Sequence, residues 1–458
     1  MYKVLDTNVL LLDAHNITKL SMDGSIIVLP ETVIDEIDSK KTGFSELAYQ
    51  AREVGRIITK ARNIGVTVKD DLTIVSFLYD TTQIQVVSTS TYPDFKDTSP
   101  SIVNDRKIIE IALQYCNLYG NDLVRFVSND AMCRIRAESV GITVEDVKDV
   151  DNLDLVFTKT LAIDSPDIFS NLHIEDILQI DPEYRPENYN YKFIDSSGQV
   201  KLATIANGLI NVIGRDTEDR LRAQEVNPVN ADQLFMAYAI QNPQVDIITV
   251  EALSGSGKTL TALSNAMKLV GTNTPYKGII YVRSSVNDVD DAEEVGFLPG
   301  LETKFEPFLH PFYDSLDFIV RNKYKNSKEK GEELEQKIEE AKEAMISKFN
   351  MQAMTTLGMR GRTFTDSVII IDEVQNISRL QLQKLITRVG KNCKVILIGS
   401  NRQIDNKYLS KYTNGLSVIL DACRHSEWPI KLHAVTLSKV VRSPIAEFAE
   451  TIFTKANK

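Results

Sequence analysis

The sequence is poor in cysteine and has no long apolar runs. Its four cysteines, Cys116, Cys133, Cys393 and Cys423, show no Cys-x-x-Cys spacing, which argues against a zinc site and against a disulfide framework. The longest apolar stretches have the length of strands, far below the ~20 residues of a membrane helix, so we expect no membrane contact. Acidic residues interrupt the apolar N-terminus, so we expect no signal peptide and place the protein in the cytoplasm.

Internal repeats are also missing, and the composition is that of a globular protein. The 458 residues are 43% hydrophobic and 25% charged, which excludes a disordered or collagen-like chain and leaves room for about three domains. The net charge of −11 argues against an acidic partner such as nucleic acid. A whole-chain sum does not exclude a local basic groove, however.

Two α/β regions are predicted on either side of a less regular segment. Residues 1–150 alternate short β-type runs with amphipathic stretches, which predicts a parallel sheet with helices on both faces. Residues 151–215 contain turn clusters and a hairpin signal at 195–198, so we interpret them as a linker with a small β element. Residues 216–458 form the second α/β domain, with buried parallel strands predicted at 246–250, 278–282, 367–371 and 394–398.

The segment 326–348 is rich in Glu and Lys at helical spacings, with Leu334, Ile338 and Met345 as a thin apolar stripe. We predict a solvated helix that protrudes from the domain; a partner-binding helix is the alternative.

The strongest motif is Ala-Leu-Ser-Gly-Ser-Gly-Lys-Thr at 252–259, which lies between a predicted strand and a predicted helix. This is the context of a phosphate-binding loop. Its glycines allow backbone amides to face phosphate oxygens, and the helix N-terminus favours the same anion. Lys258 is then expected to reach the β- and γ-phosphates of ATP, and Thr259 to bind Mg²⁺. The nucleotide-binding residues predicted in this loop are Gly255, Ser256, Gly257, Lys258 and Thr259.

A second motif, Val-Ile-Ile-Ile-Asp-Glu at 368–373, is an apolar strand that ends in two carboxylates. Asp372 is predicted to bind the same magnesium, and Glu373 to act as the base that orients the attacking water.

Four further acids form a candidate metal site in the N-terminal region: Asp6, Glu36, Asp105 and Asp130. Each has an ordinary alternative role, because Asp6, Asp105 and Asp130 can cap a turn or helix and Glu36 can lie on a solvated helix face. Asp6 and Asp130 both follow predicted parallel strands, whose carboxyl ends carry ligand sites. Oxygen ligands suit Mg²⁺ or Mn²⁺, which can activate water for phosphodiester cleavage.

The C-terminal region resembles the PhoH-type ATPases, P-loop NTPases of RecA-like fold related to superfamily 1 helicases. The resemblance rests on GFLPG at 296–300, MRGRT at 359–363, DEVQN at 372–376, ITRVG at 386–390 and GSNRQID at 399–405. It implies that Gln233 reads the adenine, that Gln403 senses the γ-phosphate and that Arg442 stabilises charge, supplied across a subunit boundary. Two residues depart from the family pattern: Ala252 replaces the first loop glycine, and Ser400 replaces an aspartate.

Three other arginines leave two interpretations open. Arg283 follows a predicted strand where relatives contact nucleotide or nucleic acid, but a surface salt bridge is the alternative. Arg360 and Arg362 flank Gly361 and either contact a phosphate backbone or are structural.

Residues 1–150 resemble the PIN-domain nucleases in Asp6-Thr7-Asn8, Glu36, Asn104-Asp105 and Ser128-Asn129-Asp130. Among neighbouring acids we prefer Glu36 over Asp35 and Asp38. A PIN-PhoH fusion implies Mg²⁺- or Mn²⁺-dependent cleavage of RNA, coupled to ATP-dependent unwinding by a homo-oligomer, a ring of six subunits. The alternatives are an ATP-switched RNA-binding or remodelling protein with an inactive PIN domain, and a nuclease whose ATPase serves assembly.

Overall fold

The computed structural model describes residues 1–42, 46–93, 100–147, 156–163, 189–206, 209–222, 225–284, 301–359, 361–406, 409, 411, 414–424 and 428–455. The chain divides into two compact units, Met1–Leu153 and Asp154–Lys458. Throughout the described residues, the helices lack the length and apolar character that crossing a lipid bilayer requires. The predicted α/β fold class is confirmed.

One sheet organises the N-terminal unit. Its strands are β1 (Tyr2–Leu5), β2 (Ile26–Pro30), β3 (Arg62–Lys69), β4 (Leu72–Tyr79), β5 (Thr82–Thr89), β6 (Val124–Val127) and β7 (Val144–Glu145). Their order across the sheet is β3-β4-β5-β2-β1-β6-β7. From β5 to β7 neighbouring strands are parallel, and β1 pairs directly with β6, Leu5 opposite Val127. The carboxyl ends of β1 and β6 therefore meet at one edge of the sheet.

Helices of the N-terminal unit pack against this sheet: α1 (Thr7–Leu12), α2 (Asn16–Lys19), α3 (Glu31–Ser39), α4 (Glu46–Lys60), α5 (Pro100–Tyr119) and α6 (Ala131–Ser139). In α3, Val33 and Ile37 are spaced one turn apart and join the same buried cluster as Val4 and Leu5 of β1. Burying each such side chain contributes about 1.5–3 kcal/mol, so α1 and α3 are fixed beside the ends of the central strands.

The three strands β3, β4 and β5 are an addition that the sequence analysis did not predict. They form an antiparallel meander, with β3 at the edge of the sheet. Every residue of β3 is exposed, including Ile64, Val66 and Val68. The pairing of β3 with β4 shifts register between Asn63 and Gly65.

The second unit begins with a small mixed sheet of order β11-β10-β9-β8. Its strands are β8 (Thr158–Ile163), β9 (Asn190–Asp195), β10 (Val200–Ala206) and β11 (Leu209–Ile213). β9 and β10 are antiparallel and connected through the predicted turn at 195–198. Tyr191 and Phe193 join the same apolar cluster as Ala434. The boundaries at 150 and 215 stay predictions, because contacts group this sheet with the remainder of the second unit.

A fully parallel sheet forms the centre of the second unit, with order β14-β13-β15-β16-β12-β17. Its strands are β12 (Ile247–Ala252), β13 (Gly278–Arg283), β14 (Met351–Thr355), β15 (Ser367–Asp372), β16 (Lys394–Gly399) and β17 (Leu432–Leu437). All residues of β15 and β16 are buried, as continuous apolar runs predict for a sheet covered on both faces.

The helices of the second unit are α7 (Arg215–Arg222), α8 (Ala231–Gln241), α9 (Lys258–Leu269), α10 (Leu301–Lys323), α11 (Glu332–Lys348), α12 (Arg379–Ile386), α13 (Gly415–Ala422) and α14 (Pro444–Lys455). The predicted charged helix is α11, which starts at Glu332 rather than 326. Its stripe residues Ile338 and Met345 are buried in the main core of the unit. The stripe therefore packs inward, and only the charged face of α11 is solvated.

Candidate functional site

The predicted phosphate loop lies between β12 and α9. Gly255 and Gly257 have φ angles of +70° and +80°, in the left-handed region that glycine adopts without strain. A Cβ on Gly257 would stand 2.9 Å from Gln233 Nε2, and one on Gly255 would stand 3.3 Å from Arg442 Cβ. Both glycines are therefore required by backbone conformation and by close neighbours.

Gln233 holds the loop from α8. Its Nε2 donates to the Ser256 carbonyl at 2.9 Å, and its Oε1 accepts from the Val229 amide at 2.9 Å. Asn230 caps α8 and accepts from the Gln233 amide. The structure thus brings Gln233 to the phosphate loop.

The side chain of Ser256 lies in the phosphate loop between Gly255 and Gly257. It is 1% exposed, and within the described part of the chain its Oγ has no hydrogen-bond partner. A buried hydroxyl without a partner costs about 1–3 kcal/mol, which an incoming phosphate oxygen can offset.

Thr259 and Asp372 meet as predicted. Thr259 Oγ1 donates to Asp372 Oδ2 at 2.8 Å, and Tyr281 OH donates to the same oxygen at 2.8 Å. Asp372 is 1% exposed. Burial raises the pKa of Tyr281, so it remains a proton donor to this carboxylate. A hydroxyl and a carboxylate oxygen together fit Mg²⁺, which prefers oxygen ligands and keeps several waters.

Glu373 follows Asp372 with a left-handed φ of +58°. Its Oε1 lies 3.9 Å from Lys258 Nζ and 3.6 Å from Arg283 Nη2. Its Oε2 accepts from Gln375 Nε2 at 2.5 Å. Arg283 therefore makes a salt bridge, one of its two predicted roles, and the partner is the candidate base.

Gln375 and Tyr281 are site residues that the sequence analysis missed. Gln375 Nε2 also donates to the Gln403 carbonyl at 2.8 Å, which places the predicted sensor residue beside Glu373. Gln375 lies within the DEVQN motif, so its position three residues after Asp372 was the available signal.

Arg442 approaches the loop through its backbone. Its amide donates to the Gly255 carbonyl at 3.1 Å, next to a similar bond from Val441. Its side chain is exposed, and among the described residues it makes no ion pair.

The guanidinium group of Arg362 lies over the Phe364 ring and donates to Gln352. These contacts agree with a structural role, one of the two interpretations given for Arg362. Arg360 and the motif at 296–300 lie outside the described residues.

In the N-terminal unit, Asp6 and Asp130 stand at the shared edge of β1 and β6. Asp6 caps α1 and accepts from the Thr7 amide at 2.7 Å, from Asn8 Nδ2 at 2.7 Å and from Ser128 Oγ at 2.6 Å. Asp130 caps α6 through the amides of residues 132 and 133. The predicted capping roles of these two residues are therefore both present.

The other two acids come from helices. Glu36 accepts from Thr7 Oγ1 and from Asn104 Nδ2, the latter at 2.7 Å. Asp105 pairs with Arg136 at 2.5 Å. Asp105 lies inside α5, which starts at Pro100, so the alternative of a helix cap is wrong for Asp105; proline is well suited to a first helical position.

The four carboxylates share one electrostatic environment. The pKa of Asp6 is raised to about 6, chiefly by burial and also by the charges of Asp105 and Glu36, while the hydrogen bonds of Ser128 and Thr7 oppose the rise. Burial also raises the pKa of Asp105, opposed by Arg136 and supported by Asp130 and Glu36.

The four carboxylates nevertheless form hydrogen bonds or an ion pair with other groups of the protein. Across the described residues, no three Asp, Glu, His or Cys side chains are arranged to hold a metal ion as they stand. Asp105 Oδ1 and Asp130 Oδ2 accept no hydrogen bond from described residues, and the donor set is entirely oxygen. The set fits Mg²⁺ or Mn²⁺ in chemistry, and binding requires rotation of Glu36 and Asp105 away from their present partners.

Comparisons with known proteins agree with this division. A family model described as "PhoH-like protein" matches residues 225–454, about half of the chain, and one described as "PIN domain" matches residues 3–148. The chain is similar to "Protein PhoH2" of Bacillus subtilis (strain 168), with 28% identity covering 97% of this chain and 98% of that protein. "Protein PhoH2" of Mycolicibacterium smegmatis is 22% identical, covering 97% and 94%.

A shorter relative matches the second unit at higher identity. The "PhoH-like protein" of Synechocystis sp. is 33% identical over 42% of this chain and 52% of its own length. PhoH proteins are P-loop ATPases and PIN domains are nucleases, so the chain is an enzyme of nuclease/ATPase type, and the resemblance predicted from its motifs is confirmed. The chain belongs to the PhoH-like protein family and carries a PIN domain ahead of its PhoH region.

Proposed function

We propose that the second unit hydrolyses ATP to draw or unwind an RNA strand, which the N-terminal carboxylate site cleaves with Mg²⁺ or Mn²⁺. The observation that carries this proposal is the contact of Thr259 with Asp372 at 2.8 Å, beside Lys258 and Glu373. It supports a phosphate-binding site with a magnesium anchor and a base.

In this proposal, some residues bind the nucleotide and others activate the attacking water. Lys258 and the amides of the glycine loop bind phosphate, Gln233 reads the adenine, and Gln403 senses the γ-phosphate. Glu373 accepts a proton from the attacking water. A positioned general base of this kind typically increases the rate about 10²–10⁴-fold. Bound Mg²⁺ neutralises charge that develops on the phosphates.

Cleavage is assigned to Asp6, Glu36, Asp105 and Asp130. These four carboxylates would hold a divalent cation, which would supply an activated water and stabilise the leaving oxygen of a phosphodiester. Asp6 is fixed by three donors and provides the rigid part of the site. Glu36 and Asp105 provide the adjustable part.

Lys258→Ala tests the ATPase. We expect ATP turnover to be lost and metal-dependent cleavage of a labelled single strand to remain, because the two sites use different residues. ATP turnover equal to that of the unmodified protein would show that the phosphate loop is assigned wrongly.

Asp6→Asn tests the nuclease on a labelled single-stranded RNA with Mg²⁺ or Mn²⁺ and without ATP. Product that disappears in the variant supports cleavage by this site, and undiminished product points to a contaminating nuclease. A DNA strand of the same sequence serves as the comparison for substrate class, and a duplex with a single-stranded tail, with and without ATP, tests unwinding.

An ATP-switched RNA-binding or remodelling protein with an inactive PIN domain is the second candidate. The pairing of Asp105 with Arg136 and the absence of a ready three-ligand group among the described residues favour it. RNA binding that depends on ATP, without product at any Mn²⁺ concentration, would distinguish it.

Assembly into a ring of six subunits is part of the proposal. The exposed side chain of Arg442 supports a role across a subunit boundary. Mixing Lys258→Ala with Arg442→Ala protein tests it, because mixed rings contain sites that combine an intact loop with an intact arginine. Recovery of ATP turnover on mixing supports the ring; turnover that stays at the level of the separate variants contradicts it.

A further inference from the structure

Glu251, a partly buried carboxylate just before the phosphate loop, has no role in the mechanism above. Glu251 is the last but one residue of β12, and its register partners are Gly399 of β16 and Thr436 of β17. It lies at the carboxyl end of a strand that is paired on both sides, where a partly buried acid side chain costs free energy unless its oxygens are satisfied.

Both oxygens of Glu251 bind one residue. Oε1 accepts from the Asn401 amide at 2.9 Å, and Oε2 accepts from Asn401 Nδ2 at 2.8 Å. Asn401 Oδ1 accepts in turn from Asn414 Nδ2 at 2.7 Å and from Ser417 Oγ at 3.1 Å. Glu251 therefore fixes the backbone and the side chain of Asn401 together.

The segment 400–403, which contains Asn401, is connected through Gln375 to the candidate base Glu373. The Ser400 amide donates to Gln375 Oε1 at 3.0 Å. Gln375 Nε2 donates to the Gln403 carbonyl and to Glu373 Oε2. The Ser400 hydroxyl is buried and has no hydrogen-bond partner within the described residues, so it does not hold the segment itself.

We propose that Glu251 is a positioning residue for ATP hydrolysis, which anchors the segment 400–403 so that Gln375 keeps Glu373 aimed at the attacking water. This inference rests on the proposed ATPase function. The side-chain oxygens of Glu251 bind Asn401 rather than the phosphate loop, so the residue acts on the rate of hydrolysis and not on nucleotide binding.

The ionisation of Glu251 provides a signature for this role. Burial raises its pKa to about 7, against the hydrogen bonds of Asn401 and the positive charges of Arg402 and Lys258. These two cations face it from the segment after β16 and from α9; its neighbour on β17 is the uncharged Thr436. A protonated carboxyl cannot accept both N–H groups of Asn401 at full strength, so the anchor weakens below about pH 7.

The experiment measures kcat and KM for ATP between pH 6 and 8.5 for the unmodified protein, Glu251→Gln, and Glu343→Gln on the exposed face of α11 as the matched control. At pH 8 we expect kcat of Glu251→Gln to fall about tenfold, which corresponds to about 1.4 kcal/mol in the barrier, with KM within about twofold of the unmodified value. The rise of kcat through about pH 7 should be present in the unmodified protein and in Glu343→Gln and absent in Glu251→Gln.

Asn401→Ala removes the partner instead of the acid and carries the test if Glu251→Gln does not fold. We expect it to lower kcat to the same extent, and the double variant to lose no more than either single variant, because both changes break one interaction. A double variant whose loss is the product of the single losses overturns the proposal.

The proposal also fails if folded Glu251→Gln keeps the kcat and pH profile of the unmodified protein. An unmodified protein that turns over no ATP, or turns it over as fast as Lys258→Ala, contradicts the proposed function itself. The two failures are therefore distinguishable in one set of assays.

Discussion

We expect Lys258 to pair with two anions in turn, Glu373 in the absence of nucleotide and the phosphates of ATP when it binds. In the structure its ammonium group lies 3.9 Å from Glu373, which Arg283 also approaches. ATP phosphates carry more negative charge than one carboxylate and compete for Lys258. Nucleotide binding should therefore weaken the ion pair between Lys258 and Glu373 and leave the Glu373 carboxylate more available as a proton acceptor.

We predict that Glu373→Gln lowers ATP turnover by at least about 100-fold, in the range expected for loss of a positioned base. Nucleotide affinity should be retained or increased, since the amide no longer competes for Lys258. Phosphate release and binding of a fluorescent nucleotide measure the two quantities. Turnover within a few-fold of the unmodified protein would mean that another group accepts the proton.

Metal affinity at the carboxylate site should depend on pH. The pKa of Asp6 in the folded protein is raised to about 6, above its ordinary value, so below pH 6 a proton occupies the oxygens that a cation needs. We expect Mn²⁺ affinity to rise between pH 5 and 7 and to level off above, measured by calorimetry or by the resonance signal of free Mn²⁺. Asp6→Asn is the control and should bind weakly at every pH; an unchanged affinity from pH 5 to 7 in the unmodified protein contradicts the prediction.

The raised pKa of Asp6 also determines how the stability of the folded protein changes with pH. The folded state holds the Asp6 proton to a higher pH than the unfolded chain does, so the folded state binds more protons between the ordinary value of 3.8 and about 6. Stability contributed by Asp6 is therefore lost as pH rises through this window when no cation is present.

Sequence motifs identified the residues whose chemistry is tied to fixed spacing. Lys258, Thr259 and Asp372 belong to such motifs, and the structure brings Thr259 and Asp372 together. Glu251 was not identified, because its partner Asn401 lies 150 residues away and their contact exists only once β12 and β16 pair. Motifs thus predict groups that touch substrate better than groups that support them.

At the scale of elements, an ion pair fixes the small sheet of the second unit to α8. Lys192 of β9 binds Asp232, which is 1% exposed. The other oxygen of Asp232 accepts from the amide and hydroxyl of Ser438, at 3.0 and 2.6 Å. Asp232 thus connects β9, the helix that carries Gln233 and the end of β17.

We predict that Asp232→Ala destabilises the second unit by about 3 kcal/mol, since it leaves a partly buried lysine and two donors without their partner. Asp219→Ala, the same change on the exposed face of α7, is the matched control and should lie within about 0.5 kcal/mol of the unmodified protein. Chemical denaturation monitored by circular dichroism compares the free energies of unfolding. Equal values for the two variants would show that the connection contributes little.

Elements were predictable where burial gives a continuous apolar run or a strong boundary signal. The predicted strands at 246–250, 278–282, 367–371 and 394–398 correspond to β12, β13, β15 and β16 within one or two residues. β3 was missed because all its side chains are exposed, so no buried face marks it. Asp105 was offered as a helix cap, whereas α5 begins five residues earlier at Pro100, a residue that is also common in loops and so marks a helix start only weakly.

At the scale of the whole molecule, the proposed metal site and the proposed nucleotide site belong to different units. A ligand that binds only the folded form stabilises the unit that holds its site, by about 2.7 kcal/mol at 100 times its Kd. We therefore expect Mn²⁺ to raise the unfolding temperature of Met1–Leu153 and a non-hydrolysable ATP analogue with Mg²⁺ to raise that of Asp154–Lys458.

Calorimetry of the full chain measures both effects. Lys258→Ala should lose only the nucleotide-dependent increase, and Asp6→Asn only the increase with Mn²⁺. A single transition that both ligands shift equally would contradict independent unfolding of the units.

The outer edge of the N-terminal sheet also affects how the protein behaves at high concentration. Among the described strands, β3 has a neighbour on one side only, and it exposes Ile64, Val66 and Val68; a foreign strand can be added to a sheet at an edge of this kind. The shifted register between Asn63 and Gly65 breaks the straight ladder that such an addition needs. We therefore expect this irregularity to disfavour aggregation through the β3 edge.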